Sequence, residues 1–276
     1  MIIRKSIIKK IYKKRDKDSK KGDFGKLVII GGSKKYTGAP ALNALAALAS
    51  LKTGVDIVEV VAPERAADIV AGFSHDLITY PLSGDSLSSR HLKVLLKESE
   101  DKNAFVMGGG LGKTRSTINT VRAYLKKIHL PGVIDADAIS AIDKKLNLED
   151  FVITPHAGEF RAFAGVTASR DMKERIKQVQ KAAKKFNTTI LLKGPVDIIS
   201  DSRKTAVNKT GNSYMTVGGT GDVLAGILGG LLAQGSDNFQ ASCAAAYISG
   251  KAAEISKKKI SLTGSDILKN IEKIVG

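Results

Sequence analysis

The chain of 276 residues has one cysteine, Cys243, no tryptophan and few aromatic residues of any kind. A single cysteine excludes an internal disulfide framework and any cysteine-based zinc site. Cys243 stands in an alanine-rich apolar run, which reads as a buried, inert thiol, with a catalytic thiol as the other reading. No apolar run nears the roughly 20 residues that cross a bilayer. Lysines interrupt every short apolar stretch near the start, so no signal-peptide core is present and the expected location is the cytoplasm.

What the chain does have is an ordinary globular balance, 43% hydrophobic and 26% charged, which excludes disorder throughout. Its 27 glycines come in short runs, as tight backbone turns require. The net charge is +17, and residues 1–22 hold ten Lys/Arg against two Asp. That bias invites a nucleic-acid reading, but no stripe of base-stacking aromatics accompanies it. A solvated basic surface is the expectation, one that would also attract a polyanionic small substrate. In the leader, Ile3, Ile7, Ile8 and Ile11 have helical spacing. Such a helix docks on its own domain or lies on a membrane surface, and the first is expected. Residues 13–22 read as a polar loop.

From Gly25 onward short apolar strands alternate with helical stretches. Strands are expected at 26–30, 56–61, 104–107, 133–135, 151–154, 189–192 and 197–200. Helices are expected at 40–51, from Glu64, at 114–127, 171–186, 222–233, 239–256 and 265–275. This alternation predicts one α/β unit over residues 21–276, a mostly parallel sheet with helices on both faces. In such sheets ligands bind beyond the carboxyl ends of the strands. The informative motifs fall there.

Gly218-Gly219-Thr220-Gly221-Asp222 opens a helix. Bare N–H groups at Gly219, Thr220 and Gly221 would form an anion cradle, helped by the helix dipole. Asp222 either caps the helix or serves as the base that deprotonates a hydroxyl attacking phosphorus. In Thr154-Pro155-His156-Ala157-Gly158-Glu159, His156 and Glu159 are three apart and could face one pocket. Glu159 could hold magnesium through water, or merely cap a helix. Residues 108–114 look like a P-loop, but Met107 stands where that motif needs glycine. Residues 31–40 form another glycine loop, without the dinucleotide-binding pattern. Asp135 ends a strand and could position substrate or ions, while Asp137 reads as a helix N-cap. Lys193-Gly194-Pro195-Val196-Asp197 is a turn whose backbone could grip an adenine or a phosphate, or simply join two strands.

Taken together, KGDFGKLVIIGGSKKYTGAP (21–40), GGGLGKT (108–114), VIDADAI (133–139), TPHAGEF (154–160), LLKGPVDII (191–199) and the stretch from TGN (210–212) to VGGTGDVLAGILGGLLAQG (217–235) resemble the ADP-dependent NAD(P)H-hydrate dehydratase family of the ribokinase-like superfamily. They run in family order over nearly the whole chain. The resemblance implies a three-layer ribokinase-like fold and a hydro-lyase of metabolite repair. Its substrates would be NADHX and NADPHX, the hydrates of NADH and NADPH, taken as the S epimer. ADP would be the co-substrate, split to AMP and phosphate with Mg2+. Asp222 would be the catalytic carboxylate and would touch the hydrate, with Ala39, Gly112 and His156 lining that site. Gly221 and Lys193, Gly194, Pro195, Val196 and Asp197 would contact the nucleotide, and Glu159 matches the acidic residue near magnesium. The resemblance also implies a homo-oligomer, a tetramer, and a separate epimerase chain, with no nucleic-acid or membrane partner. Ser213-Tyr214 and Asp197 depart from the family pattern. The alternatives are a hydroxyethylthiazole-type kinase of the same superfamily and a non-catalytic adenine-nucleotide-binding protein.

Overall fold

The computed structural model describes residues 1–12, 17–20, 22–49 and 56–276. Among them nine strands form one sheet: β1 (Lys26–Ile30), β2 (Ile57–Pro63), β3 (Ile78–Leu82), β4 (Ala104–Met107), β5 (Gly132–Ile134), β6 (Phe151–Ile153), β7 (Thr189–Leu192), β8 (Asp197–Ser200) and β9 (Thr205–Asn208). The helices are α1 (Ser6–Ile11), α2 (Gly38–Ala49), α3 (Glu64–Ala71), α4 (Leu92–Ser99), α5 (Arg115–Leu125), α6 (Ala136–Ile139), α7 (Ala157–Ala164), α8 (Met172–Phe186), α9 (Thr220–Ala233), α10 (Asn238–Ile255), α11 (Gly264–Leu268) and α12 (Ile271–Val275).

The strand order is β3-β2-β1-β4-β5-β6-β7-β8-β9. Pairing is parallel from β3 to β7 and antiparallel at β7–β8 and β8–β9. The central strands are apolar on both faces because helices cover both faces. Leu27, Ile29 and Val106 pack on one side with α2, α9 and α10. Val28, Ile30, Phe105 and Met107 pack on the other with α4, α5, α7 and α8. The side-chain alternation of a strand thus feeds two separate cores, and the three-layer α/β architecture expected from the sequence is the one observed.

The two central helices of the first layer lie unusually close. A Cβ on Gly226 of α9 would stand 2.1 Å from the main-chain oxygen of Asn43 on α2. Only a residue with no side chain permits that approach, and α9 packs across β4, β5 and β1.

Some elements differ from expectation. Residues 72–103 hold β3 and α4, for which the sequence reading has no element. Pro81 lies within β3, and an edge strand tolerates it. β9 is likewise unforeseen, being short and only half apolar. The single helix expected at 265–275 is two, α11 and α12. Asn270 between them donates through Nδ2 to the Asp266 carbonyl at 3.0 Å, a side chain competing with the helix ladder. The helix of the leader docks on its own domain: Ile8 and Ile11 are buried, and α1 packs on α10. Within the loop expected at 13–22, residues 13–16 and 21 lie outside the described residues, as do Ser50 and Leu51 of the helix expected at 40–51.

Gly226→Ala should lower the free energy of urea unfolding by about 1–3 kcal/mol, the usual cost of overpacking against backbone. Gly38→Ala, whose added methyl meets nothing within 4 Å, should leave it nearly unchanged.

Candidate active site

The carboxyl ends of β1, β4 and β5 and the start of α9 enclose a cavity of about 780 Å3. Its walls are the loop at 35–39, the glycine turn at 109–113, Ala136 and Asp137 after β5, and Gly218 and Gly219. Asp222 lies on its floor. Gly219 caps α9 in a left-handed conformation, φ +92°, which glycine adopts without strain. The first N–H groups of α9, at Thr220, Gly221 and Asp222, have no helical partner and face forward, as any helix start does. The Thr220 hydroxyl is committed elsewhere, donating to the Met215 carbonyl at 2.9 Å.

Asp222 is in the first turn of α9, and none of the described residues donates a hydrogen bond to its carboxylate. Burial, then the Asp135 carboxylate, push its pKa up to about 6, with the Lys193 ammonium opposing them and Asp137 adding to them. A carboxyl in that range is a weak acid poised to exchange a proton near neutrality. Its main chain is held from α2, where Asn43 Nδ2 donates to the Asp222 carbonyl at 2.7 Å.

Beside it lies an ion pair whose carboxylate is buried and whose ammonium is half-buried. Lys193 Nζ donates to Asp135 Oδ1 at 2.7 Å, and the Thr154 hydroxyl donates to the same oxygen at 2.7 Å. Burial pulls the Lys193 ammonium down, but Asp135, with Glu159 and Asp222 further off, outweighs it, and the net shift is upward. Lys193 therefore stays charged among carboxylates. Gly221 adjoins it, since a Cβ there would stand 3.3 Å from Lys193 Nζ. The structure thus brings Lys193, Gly221 and Asp222 together. In the same turn Asp197 accepts from the Gly194 N–H and from Asn208 Nδ2, each at 3.0 Å. Burial pushes the Asp197 carboxyl up to about 6 against those bonds. Gly194 and Pro195 are exposed, with Val196 half-buried.

Ala39, Gly112 and Asp222 share the cavity wall, but His156 does not line it. The His156 ring caps α7 instead: Nδ1 accepts from the Gly158 and Glu159 N–H groups at 3.0 and 3.3 Å. Glu159 returns the contact, accepting from the His156 N–H at 2.9 Å. The two therefore form a reciprocal cap, the plainer of the two readings of that motif. Asp137 is not the N-cap of α6, a place taken by Asp135. Its carboxylate accepts from the Gly112 N–H at 2.9 Å and lies 3.6 Å from Lys113. It thus fixes the glycine turn. Thr114 caps α5, so the P-loop-like segment ends in an ordinary helix start. Among the described residues no three His, Cys, Asp or Glu side chains are grouped so as to hold a metal alone.

Sequence reasoning missed Asn43, Lys35, Tyr36 and Lys113. The signal for Asn43 was available, as it is the one polar residue in the alanine- and leucine-rich stretch of α2. Cys243 is buried, and its thiol is pushed up to about 12 by burial and the nearby Asp237 and Asp201. That is an inert thiol.

Comparison with known proteins gives the geometry its context. A family model described as NAD(P)H-hydrate dehydratase matches residues 27–275. An ADP-dependent (S)-NAD(P)H-hydrate dehydratase of Cenarchaeum symbiosum is 35% identical over 255 residues, 91% of this chain and 88% of that one. A bifunctional NAD(P)H-hydrate repair enzyme of Pyrobaculum aerophilum is 40% identical over 265 residues, covering 95% of this chain. The chain spans about half the length of that bifunctional relative, 52%. The crystal structure of an ADP/ATP-dependent NAD(P)H-hydrate dehydratase from Bacillus subtilis, co-crystallised with ATP/Mg2+, superposes with a TM-score of 0.82 at 25% identity, over 99% of this chain and 98% of that one.

Because the folded state holds Asp222 at about 6, it disfavours the charged form above that pH. The penalty is absent below the ordinary carboxylate range, grows as pH rises, and is complete above about 6. Asp222→Asn should therefore stabilise the protein to urea at pH 7.5 by up to about 3 kcal/mol, the value of two pKa units. The gain should vanish at pH 3.

Proposed function

Because the chain belongs to the NAD(P)H-hydrate dehydratase family, we propose that it carries out the ADP-dependent dehydration of the S epimer of NADHX and NADPHX. The products are NADH or NADPH, AMP and phosphate. The observation that carries this reading is the half-buried Asp222 carboxylate. It sits at a helix start, is held near neutrality, and stands beside the Lys193–Asp135 pair.

The chemistry needs each of those parts. Hydroxide is a poor leaving group from the hydrated ring, and phosphorylation turns it into a good one. Asp222 takes the proton of the ring hydroxyl as its oxygen attacks the β-phosphorus of ADP, and AMP leaves. The adjacent ring nitrogen then expels phosphate with breakage of the C–O bond. Loss of a proton from the neighbouring ring carbon restores the double bond. The first N–H groups of α9, with Gly219, Thr220 and Gly221, cradle the transferring group. Lys193 lies beside Gly221 and offsets its charge, and no covalent enzyme nucleophile is required.

In this reading the 193–197 turn and Gly221 hold the adenine nucleotide, and the cavity formed by Ala39, Gly112 and Asp222 holds the hydrated ring. The exposed His156 ring is left for the part of the hydrate that extends past the cavity. The Glu159 carboxylate is a hard oxygen donor of the kind magnesium takes and would hold, through water, an ion that arrives on the nucleotide. Such an ion would neutralise phosphate charge. The chain's +17 charge favours encounter with two polyanions. The reading includes a homotetramer, for which half-exposed Phe73, Ile78 and Tyr80 offer apolar surface at the β3 edge. It also includes a separate epimerase activity that supplies the S epimer.

The test starts from acid-hydrated NADH incubated with protein, magnesium and either ADP or ATP. Reduced-nicotinamide absorbance should return with ADP. No recovery with either nucleotide, from protein that still binds AMP, would turn attention to hydroxylated kinase substrates. Asp222→Asn should lower turnover by about 100-fold or more, the scale of a lost general base, while AMP affinity changes little. The wild-type kcat/KM should rise with pH through a midpoint of about 6, as the base loses its proton.

A further inference from the structure

Asn43 is 1% exposed, the one polar side chain of α2. Its Nδ2 donates to the Asp222 carbonyl at 2.7 Å, and that bond decides which way round the amide sits. Its Oδ1 is then left buried with no hydrogen-bond partner among the described residues. An amide oxygen is an acceptor only, and leaving it without a donor is costly. Both this oxygen and Asp222 Oδ1 turn toward the bare Cα of Gly109. A Cβ at Gly109 would stand 3.0 Å from the first and 2.8 Å from the second. Two acceptors that face one point repel one another unless a proton lies between them. The Asn43 oxygen is shut off from solvent and unpartnered, and the Asp222 carboxyl is the titratable group that faces the same point.

We propose that Asn43 is the positioning residue for Asp222: its amide nitrogen pins the Asp222 main chain, and its carbonyl oxygen accepts the O–H of the Asp222 carboxyl once that carboxyl has taken the substrate proton. The inference rests on the dehydratase reading and deepens it. The proton passes from the ring hydroxyl oxygen to an Asp222 oxygen as the oxygen–phosphorus bond forms, and the hydrogen bond to Asn43 holds it there. The charged groups that bear on Asp222 are Asp135 and Asp137, which favour the protonated form, and Lys193, which opposes it. α2 itself carries no titratable side chain. Asn43 therefore adds to the first two without charge, and it also sets the direction in which the carboxyl presents its proton.

Asn43→Ala removes both contacts. The protonated form of Asp222 loses its acceptor, so its titration midpoint should fall by about half a unit to one unit. The low-pH arm of kcat/KM should move down with it, so that activity at pH 5 relative to pH 8 rises about three- to fivefold. At pH 8 kcat should fall while KM for the hydrate holds. The 13C resonance of the Asp222 carboxyl, assigned by its loss in Asp222→Asn, reads the same titration without turnover. An unmoved or raised midpoint overturns the proposal, whatever the variant's activity or stability. Should Asn43→Ala not fold, Asn43→Ser serves in its place with the same expected direction. If the wild type shows no dehydration, the proposed function fails, yet the carboxyl titration still decides whether Asn43 and Asp222 share the proton.

Discussion

The site depends first on the distance between α9 and α2. Gly226 lets the two helices meet backbone to backbone, with 2.1 Å between a would-be Cβ and the Asn43 main-chain oxygen. That contact sets the depth at which the first turn of α9 enters the sheet end. Asp222 is one turn from Gly226, so its burial, its bond from Asn43 and its nearness to Gly109 all follow from the same approach. A bulkier residue at 226 would push α9 outward, and the carboxylate would move toward water. Its proton affinity would then relax toward that of an ordinary aspartate.

Burial alone would leave the site starved of positive charge. Asp135, Asp137, Glu159, Asp197 and Asp222 gather around the cavity and the neighbouring turn, and the half-buried Lys193 is the cation set among them. Its bond to Asp135 fixes the ammonium close to Gly221 without neutralising the whole cluster. Acidic floors of this kind hold a phosphorylated ligand only when further positive potential is supplied. The helix start supplies some, Lys35 and Lys113 in the cavity lining supply more, and the basic surface adds a long-range field of the sign that would favour an anionic ligand.

Much of this was legible in the residues. Strand-helix alternation pointed to the layered sheet, because parallel strands buried on both faces leave continuous apolar runs such as 26–30. The glycine loops stood at strand ends for the same topological reason, and Asp222 stood out as a carboxylate beside bare helix N–H groups. What escaped was set by tertiary context. β3 is short, largely exposed and carries proline because it lies at an edge, so it lacks the continuous buried apolar run of the central strands. His156 and Glu159 are spaced for a shared pocket and equally for a cap, and only the path of the chain after Pro155 shows that they cap α7. Asn43 was hidden in an apolar helix, where its meaning depends on a partner 179 residues away.

The turn at 193–197 joins β7 directly to β8, at the point where the sheet changes from parallel to antiparallel. Its ends are therefore ladder partners, Leu192 opposite Ile198, and the turn has no slack. The Lys193 N–H is bonded to the Pro155 carbonyl at 2.8 Å and the Gly194 N–H to Asp197. A ligand seated there meets a surface that is already shaped. That surface gives up little conformational freedom when something binds to it.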